Sequence, residues 1–198
     1  MNKLAIQILP AATFIIVVIS WVAFAAIFFI QRRPQNPPDQ KRNPRSIFGL
    51  VLQGLSFPIV WTIQRPFLTP IFNASLLSVA LSLFAIAGAV GSVVLVMAAV
   101  KTLGKEWSLT ARVLEGHQLA TKGPYAIVRH PIYTGMLGML LATGIAVSHW
   151  IALPAAVVVF LAGTIVRVRS EEKLLRETFG AAFDEYARKV PALVPGLY

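Results

Sequence analysis

The chain has 198 residues, no cysteine and a formal net charge of +10 at pH 7. Hydrophobic residues make up 57% and charged residues 13%, against about 45–50% and about 25% in a soluble domain. That balance excludes intrinsic disorder and argues against a soluble globular protein. The apolar residues fall in long blocks, as in membrane-spanning helices. The missing cysteines exclude a disulfide framework, a thiolate nucleophile and a cysteine metal site. The basic residues sit between the apolar blocks, so they read as loop charge of a membrane protein rather than a nucleic-acid surface.

In chain order, Leu4–Ile30 is uncharged and, at about 1.5 Å per residue, exceeds the roughly 30 Å of bilayer hydrocarbon. It is expected to be a retained first span. Gln31–Arg45 is a polar loop whose four prolines forbid a regular helix. Ser46–Ile63 is a weaker apolar block, interrupted by Gly49, Gln53, Gly54 and Pro58. Ile71–Val100 is a long uncharged span. Lys101–Pro131 is polar. Ile132–Ser148 and Ile151–Val166 are short apolar blocks joined by His149 and Trp150, the pattern of a helical hairpin, and Arg167–Tyr198 is a charged tail.

Loop charge sets the span count. With five spans, the segments after the first, third and fifth share a side and hold 16 of the 18 basic residues, leaving Lys3 and Arg65 opposite. Four spans would split that charge between the two sides. The expected fold is all-α and integral to the membrane, in one domain covering 1–198. About five spans place the N-terminus outside and the C-terminus in the cytoplasm. Residues 1–100 hold the first three spans, and 101–198 the region where chemistry is expected. In the tail, Leu175, Phe179, Phe183, Tyr186 and Val190 recur every three or four residues. They predict an amphipathic C-terminal helix lying on the bilayer surface.

Two polar clusters flank the hairpin. His117, Gln118, Leu119, Ala120, Tyr125, Arg129, His130, Pro131, Ile132 and Tyr133 precede the fourth span, and Arg167, Glu171 and Glu172 follow the fifth. A tight hairpin brings both to one place. Pro131 suits the first turn of a helix, whose end offers N–H groups to an anion. Arg129 and Arg167 add positive charge and the glutamates negative, a mixture suited to a zwitterion. Simpler accounts exist: an i,i+4 pair for Arg167 and Glu171, and interfacial anchoring for Arg129, Tyr125 and Tyr133. His149 reads as structural, and Trp107 as belt or pocket. No HExxH, GxSxG, GxGxxG or Walker pattern occurs, so no metal site or soluble nucleotide domain is expected.

The run G-K-E-W-S…G-H-Q-L-A-T-K-G-P-Y-A-I-V-R-H-P-I-Y-T-G, followed by R-V-R-S-E-E-K-L-L-R-E-T-F-G-A-A-F-D-E-Y-A-R-K-V, closely resembles the isoprenylcysteine carboxyl methyltransferase family, which groups with the phospholipid N-methyltransferases. The resemblance covers Gly104–Val190. It implies an integral-membrane enzyme that uses S-adenosyl-L-methionine to methylate a lipophilic small-molecule or lipidated acceptor among membrane lipids. By position, the cofactor pocket is implied at His117 to Ala120, Tyr125, His130 to Tyr133, Glu171 and its neighbour Glu172. Arg167 is implied to face the acceptor. From the residues themselves, Arg129 or helix N–H groups suit the cofactor carboxylate. Ala120 departs from the family's usual valine. Other readings are a phospholipid N- or thiol S-methyltransferase of the same fold, an NADPH-dependent sterol-type reductase, and a non-catalytic binder of lipid headgroups.

Overall fold

The computed structural model describes residues 3–30, 39–66, 69, 76–104, 107–108, 111–114 and 118–194. Among them, six α-helices and two short strands alternate in the order α1 Lys3–Ile30, β1 Asp39–Arg42, α2 Arg45–Thr62, α3 Leu76–Leu103, β2 Arg112–Leu114, α4 Pro131–Val147, α5 Ala152–Phe179 and α6 Ala181–Lys189. A 3-10 turn at Gly123–Ala126 precedes α4. Among the described residues, three helices carry segments long and apolar enough to cross a membrane: Ile8–Phe29, Leu76–Leu103 and Ala152–Phe179. α4 is apolar and shorter.

α2 shows why the second apolar block looks weak. Its buried residues are Ser46, Gly49, Gln53, Ser56 and Val60, one stripe at helical spacing. Its exposed residues include Ile47, Phe48, Val51 and Leu55. Small side chains on the buried stripe allow close backbone approach to a neighbouring helix. The stripe packs on α5. A Cβ on Gly163 of α5 would lie 2.6 Å from the Gly49 carbonyl oxygen and 2.8 Å from the Gln53 nitrogen. Gln53 Nε2 donates to Thr164 Oγ1 at 2.8 Å across the same contact.

α3 packs between α1 and α4. Gly135 and Gly138 of α4 let α3 approach closely. A Cβ on either would come within 2.4 Å of Val96 or Ser92.

At the far end of α4, Arg65 caps the helix C-terminus. Its guanidinium donates to the carbonyls of Ile145, Ala146 and Ser148 at 2.9, 2.5 and 3.0 Å. These are orphan acceptors of a helix C-terminus. His149 N–H donates to Ile63 O at 2.9 Å, tying the α4–α5 turn to the end of α2.

At the other end three features depart from the expected pattern. The proline-rich loop finishes in β1, which pairs antiparallel with β2. α5 continues 13 residues past Val166, since charged residues sustain a helix once it has left the apolar layer. The expected surface helix is broken at Gly180, whose φ of +52° glycine adopts without a Cβ clash. α6 therefore folds back, and Phe183 is fully buried. The apolar stripe is real, but much of it covers protein rather than bilayer.

Candidate active site

α4 and α5 meet so that α4's first turn faces α5 near its charged end. Arg167 Nε donates to the Tyr133 hydroxyl at 2.7 Å. That hydroxyl donates to Glu171 Oε1, and Arg167 Nη2 reaches the same oxygen at 3.3 Å. His130 lies between the two glutamates, Nδ1 at 3.4 Å from Glu171 Oε2 and Nε2 at 3.2 Å from Glu172 Oε1. Its ring stacks on Tyr133 with centroids 5.5 Å apart. Arg129 Nε donates to Glu172 Oε1 at 2.9 Å, while its Nη1 donates to the carbonyls of Ala187 and Val190.

Both ring nitrogens of His130 face carboxylate oxygens. A neutral imidazole would turn one lone pair towards an anion, so the doubly protonated ring fits this geometry. Burial lowers the His130 pKa, and the hydrogen bonds and charges of Glu171 and Glu172 more than offset it, leaving the pKa raised. The Tyr186 phenol, pushed up to about 12 by burial against the pull of Arg129, stays protonated and donates to the Tyr125 carbonyl at 2.6 Å. Burial, then Glu171, raises Tyr125 as well.

The charged cluster forms one wall of a cavity of about 250 Å³, just below the usual range for small-molecule sites of roughly 300–1,000 Å³. Of the residues predicted from sequence, Leu119, Ala120, Tyr125, Arg129, His130, Ile132, Tyr133, Arg167 and Glu171 line it. Gln118 is exposed and outside the lining. Pro131 is buried as the first residue of α4. Glu172 stands behind the wall, held by Arg129 and His130. His117 lies outside the described residues.

The α4 N-terminus is less open to an anion than its sequence suggests. The N–H groups of Arg129 and His130 donate to Pro191 and Ala192 carbonyls at 2.8 and 2.9 Å, and those of Tyr133 and Thr134 to His130 O. The C-terminal segment thus straps the start of α4, and Thr134 Oγ1 adds a bond to Leu193 O at 2.6 Å.

Much of the rest of the lining carries little sequence signal. Phe24 and Phe28 come from α1, Leu50 from α2, Met136 from α4, and Phe183 and Tyr186 from α6. Trp107 is a pocket residue, its ring 5.7 Å from that of Phe28. Phe183 and Tyr186 belong to the periodic stripe of the tail, whereas Phe24, Phe28, Leu50 and Met136 are ordinary apolar side chains in sequence, and only packing selects them.

The isoprenylcysteine carboxyl methyltransferase (ICMT) family matches residues 71–177, more than half of the chain. The chain belongs to this family. The ICMT match takes in α3, α4 and all but the end of α5, and leaves out α1, α2 and α6. A protein-S-isoprenylcysteine O-methyltransferase B of Arabidopsis thaliana is 35% identical over 99 residues, 49% of this chain and 50% of that protein. A nickel-cobalt-cadmium resistance protein of Alcaligenes xylosoxydans xylosoxydans is 36% identical over 98 residues, 48% and 45% of the two chains. A methanethiol S-methyltransferase 2 of Bradyrhizobium diazoefficiens is 33% identical over 85 residues, 43% and 32%. The matches thus span half or less of each of these relatives.

Proposed function

We propose that this protein is an integral-membrane methyltransferase that uses S-adenosyl-L-methionine to methylate the carboxylate of a lipophilic acceptor. The observation that carries this reading is the linked cluster Arg167–Tyr133–Glu171–His130 on one wall of an otherwise apolar cavity. A cofactor with an amino acid end and a flat aromatic end needs both kinds of wall. Glu171 would hold the amino group. Arg129 and His130 supply positive charge for the carboxylate, and Tyr125, Leu119 and Ala120 an apolar wall for the remainder. When bound, the cofactor supplies a methyl group activated by a sulfonium.

The chain's own task is to position and to exclude water. Arg167 is buried and fixed by Tyr133 and Glu171, so its guanidinium can orient an anionic acceptor. An ionised carboxylate carries no proton to remove before it attacks. That suits a site whose two glutamates are both engaged in charge-assisted bonds rather than poised as bases.

In this reading α1 to α5 all cross the bilayer, with the N-terminus outside and the cavity at the cytoplasmic face. The acceptor's tail lies among Phe24, Phe28 and Leu50. These residues lie on α1 and α2, outside the residues 71–177 that the family match covers. Acceptor choice therefore belongs to α1 and α2.

The test is calorimetric titration of the detergent-purified protein with S-adenosylhomocysteine, beside Glu171→Gln. Binding by the parent, at least about tenfold weaker in the variant, is expected from losing one hydrogen bond to a charged group. No binding by folded protein would overturn the reading, and NADPH would be the next titrant.

A further inference from the structure

Two helical turns from the Arg167 layer, the bundle interior is closed by aromatic rings. Trp21 of α1 meets Phe57 of α2 edge to face, centroids 5.0 Å apart. Phe57 meets Phe160 of α5 at 6.3 Å, and Trp21 meets Phe24, a cavity residue, at 5.9 Å. Trp21 is not an interfacial anchor: its Nε1 donates to Thr143 Oγ1 of α4 at 2.9 Å. A tryptophan pinned by a hydrogen bond to a neighbouring helix is a fixed wall rather than a mobile side chain.

The depth of this closure is set by helix geometry. Leu50, Met136 and Arg167 line the cavity on α2, α4 and α5. Phe57, Thr143 and Phe160 each lie seven residues away on the same helix. Seven residues at about 1.5 Å place the aromatic layer about 10 Å from the cavity layer on all three.

We infer that Trp21 and Phe57 form the stop that limits the length of the acceptor's apolar tail. This deepens the proposed methyl transfer to a lipophilic carboxylate and rests on it. A tail whose head is held at Arg167 runs past Leu50 and Met136 to Phe24, which rests on Trp21. A longer one must displace Trp21 from Thr143. Trp21→Ala removes the wall without orphaning its partner, because the Thr143 hydroxyl donates to Met139 O at 2.7 Å.

The experiment follows methyl transfer to a series of S-alkyl-mercaptopropionic acids of increasing chain length. It compares the parent, Trp21→Ala and Phe57→Ala, with S-adenosylhomocysteine binding measured on each. The parent is expected to show a length beyond which kcat/KM falls. Either truncation should move that length upwards and raise kcat/KM for the first excluded tail at least about tenfold, the scale on which a pocket discriminates by one methylene. Cofactor-product affinity should stay unchanged in both. The same length profile in all three proteins would overturn the stop while leaving methyl transfer standing. No turnover at any length by parent protein that binds S-adenosylhomocysteine would overturn the acceptor reading, and the stop with it. No S-adenosylhomocysteine binding by the parent would overturn the methyltransferase reading itself.

Discussion

Arg167 and Tyr133 are 34 residues apart and share a 2.7 Å hydrogen bond, with the guanidinium carbon 5.0 Å from the centre of the phenol ring. The phenol accepts from Arg167 and donates to Glu171, so one hydroxyl fixes both the cation and the anion of the site.

Tyr133→Phe keeps the ring over the guanidinium and deletes only that link. A hydrogen bond to a charged group contributes about 1.5–3 kcal/mol, and the link contains two. We expect S-adenosylhomocysteine affinity to fall about tenfold or more, with a lower melting temperature. Calorimetry beside a thermal melt reads both. Unchanged affinity would reduce the phenol to packing.

Arg129 is expected to hold the C-terminal segment in place. Its guanidinium grips Glu172, Ala187 O and Val190 O at once, which a planar fork can do and an ammonium on a flexible stem cannot. Arg129→Lys should therefore loosen α6 and the segment to Leu193 while keeping the charge. Hydrogen exchange at residues 181–193 should rise relative to α4 and α5. Equal protection in the variant would show that the charge alone suffices.

These contacts mark where sequence reasoning was informative and where it stopped. Arg167, Tyr133 and Glu171 could be placed together because a helix–turn–helix pattern and a motif of known spacing converge on them. The stripe Leu175, Phe183 and Tyr186 was equally legible as a buried face. Periodicity, however, says that a face is covered and not by what, so cavity and bilayer looked alike. Gly180 decides between them through a positive φ that no spacing rule reveals. The pairing of β1 with β2 joins segments about 70 residues apart and has no local signal. Phe24, Phe28 and Leu50 enter the site only because α1 and α2 pack beside α4 and α5.

His130 gives the site a pH signature. It faces Glu171 and Glu172, stacks on Tyr133, and shares its carboxylate partners with Arg129 and Arg167. Its pKa is raised in the folded protein, so between the unfolded value of about 6.5 and the folded one the native state binds more protons. Its stabilisation is then complete below about pH 6.5 and is lost as pH rises through the folded pKa. The melting temperature should decline as pH is raised above about 6.5, and His130→Gln should flatten that decline. Parallel pH profiles for the two proteins would show that His130 does not bind the proton.

The α2–α5 contact yields the last prediction, because Gly163 and Gly91 are both helical glycines in opposite surroundings. A Cβ on Gly163 would meet backbone atoms of α2 at 2.6 and 2.8 Å and Leu52 Cβ at 2.8 Å, and helix backbone cannot rotate aside as a side chain can. A Cβ on Gly91 would meet nothing within 4 Å. Gly163→Ala should therefore push α2 away from α5, at the cost of about 1–3 kcal/mol typical of overpacking. Gly91→Ala should be neutral or stabilising by up to about 1 kcal/mol through helix propensity. The displacement also reaches the site: Gly49 lies so close to Arg167 that a Cβ there would fall 2.6 Å from Arg167 Cγ. Gly163→Ala should thus lower methyl transfer more than S-adenosylhomocysteine binding, since Arg167 orients the acceptor. Thermal melts of both variants, with binding and turnover on Gly163→Ala, check each step. A Gly163→Ala protein as stable and active as the parent would show that the two helices have slack at this contact.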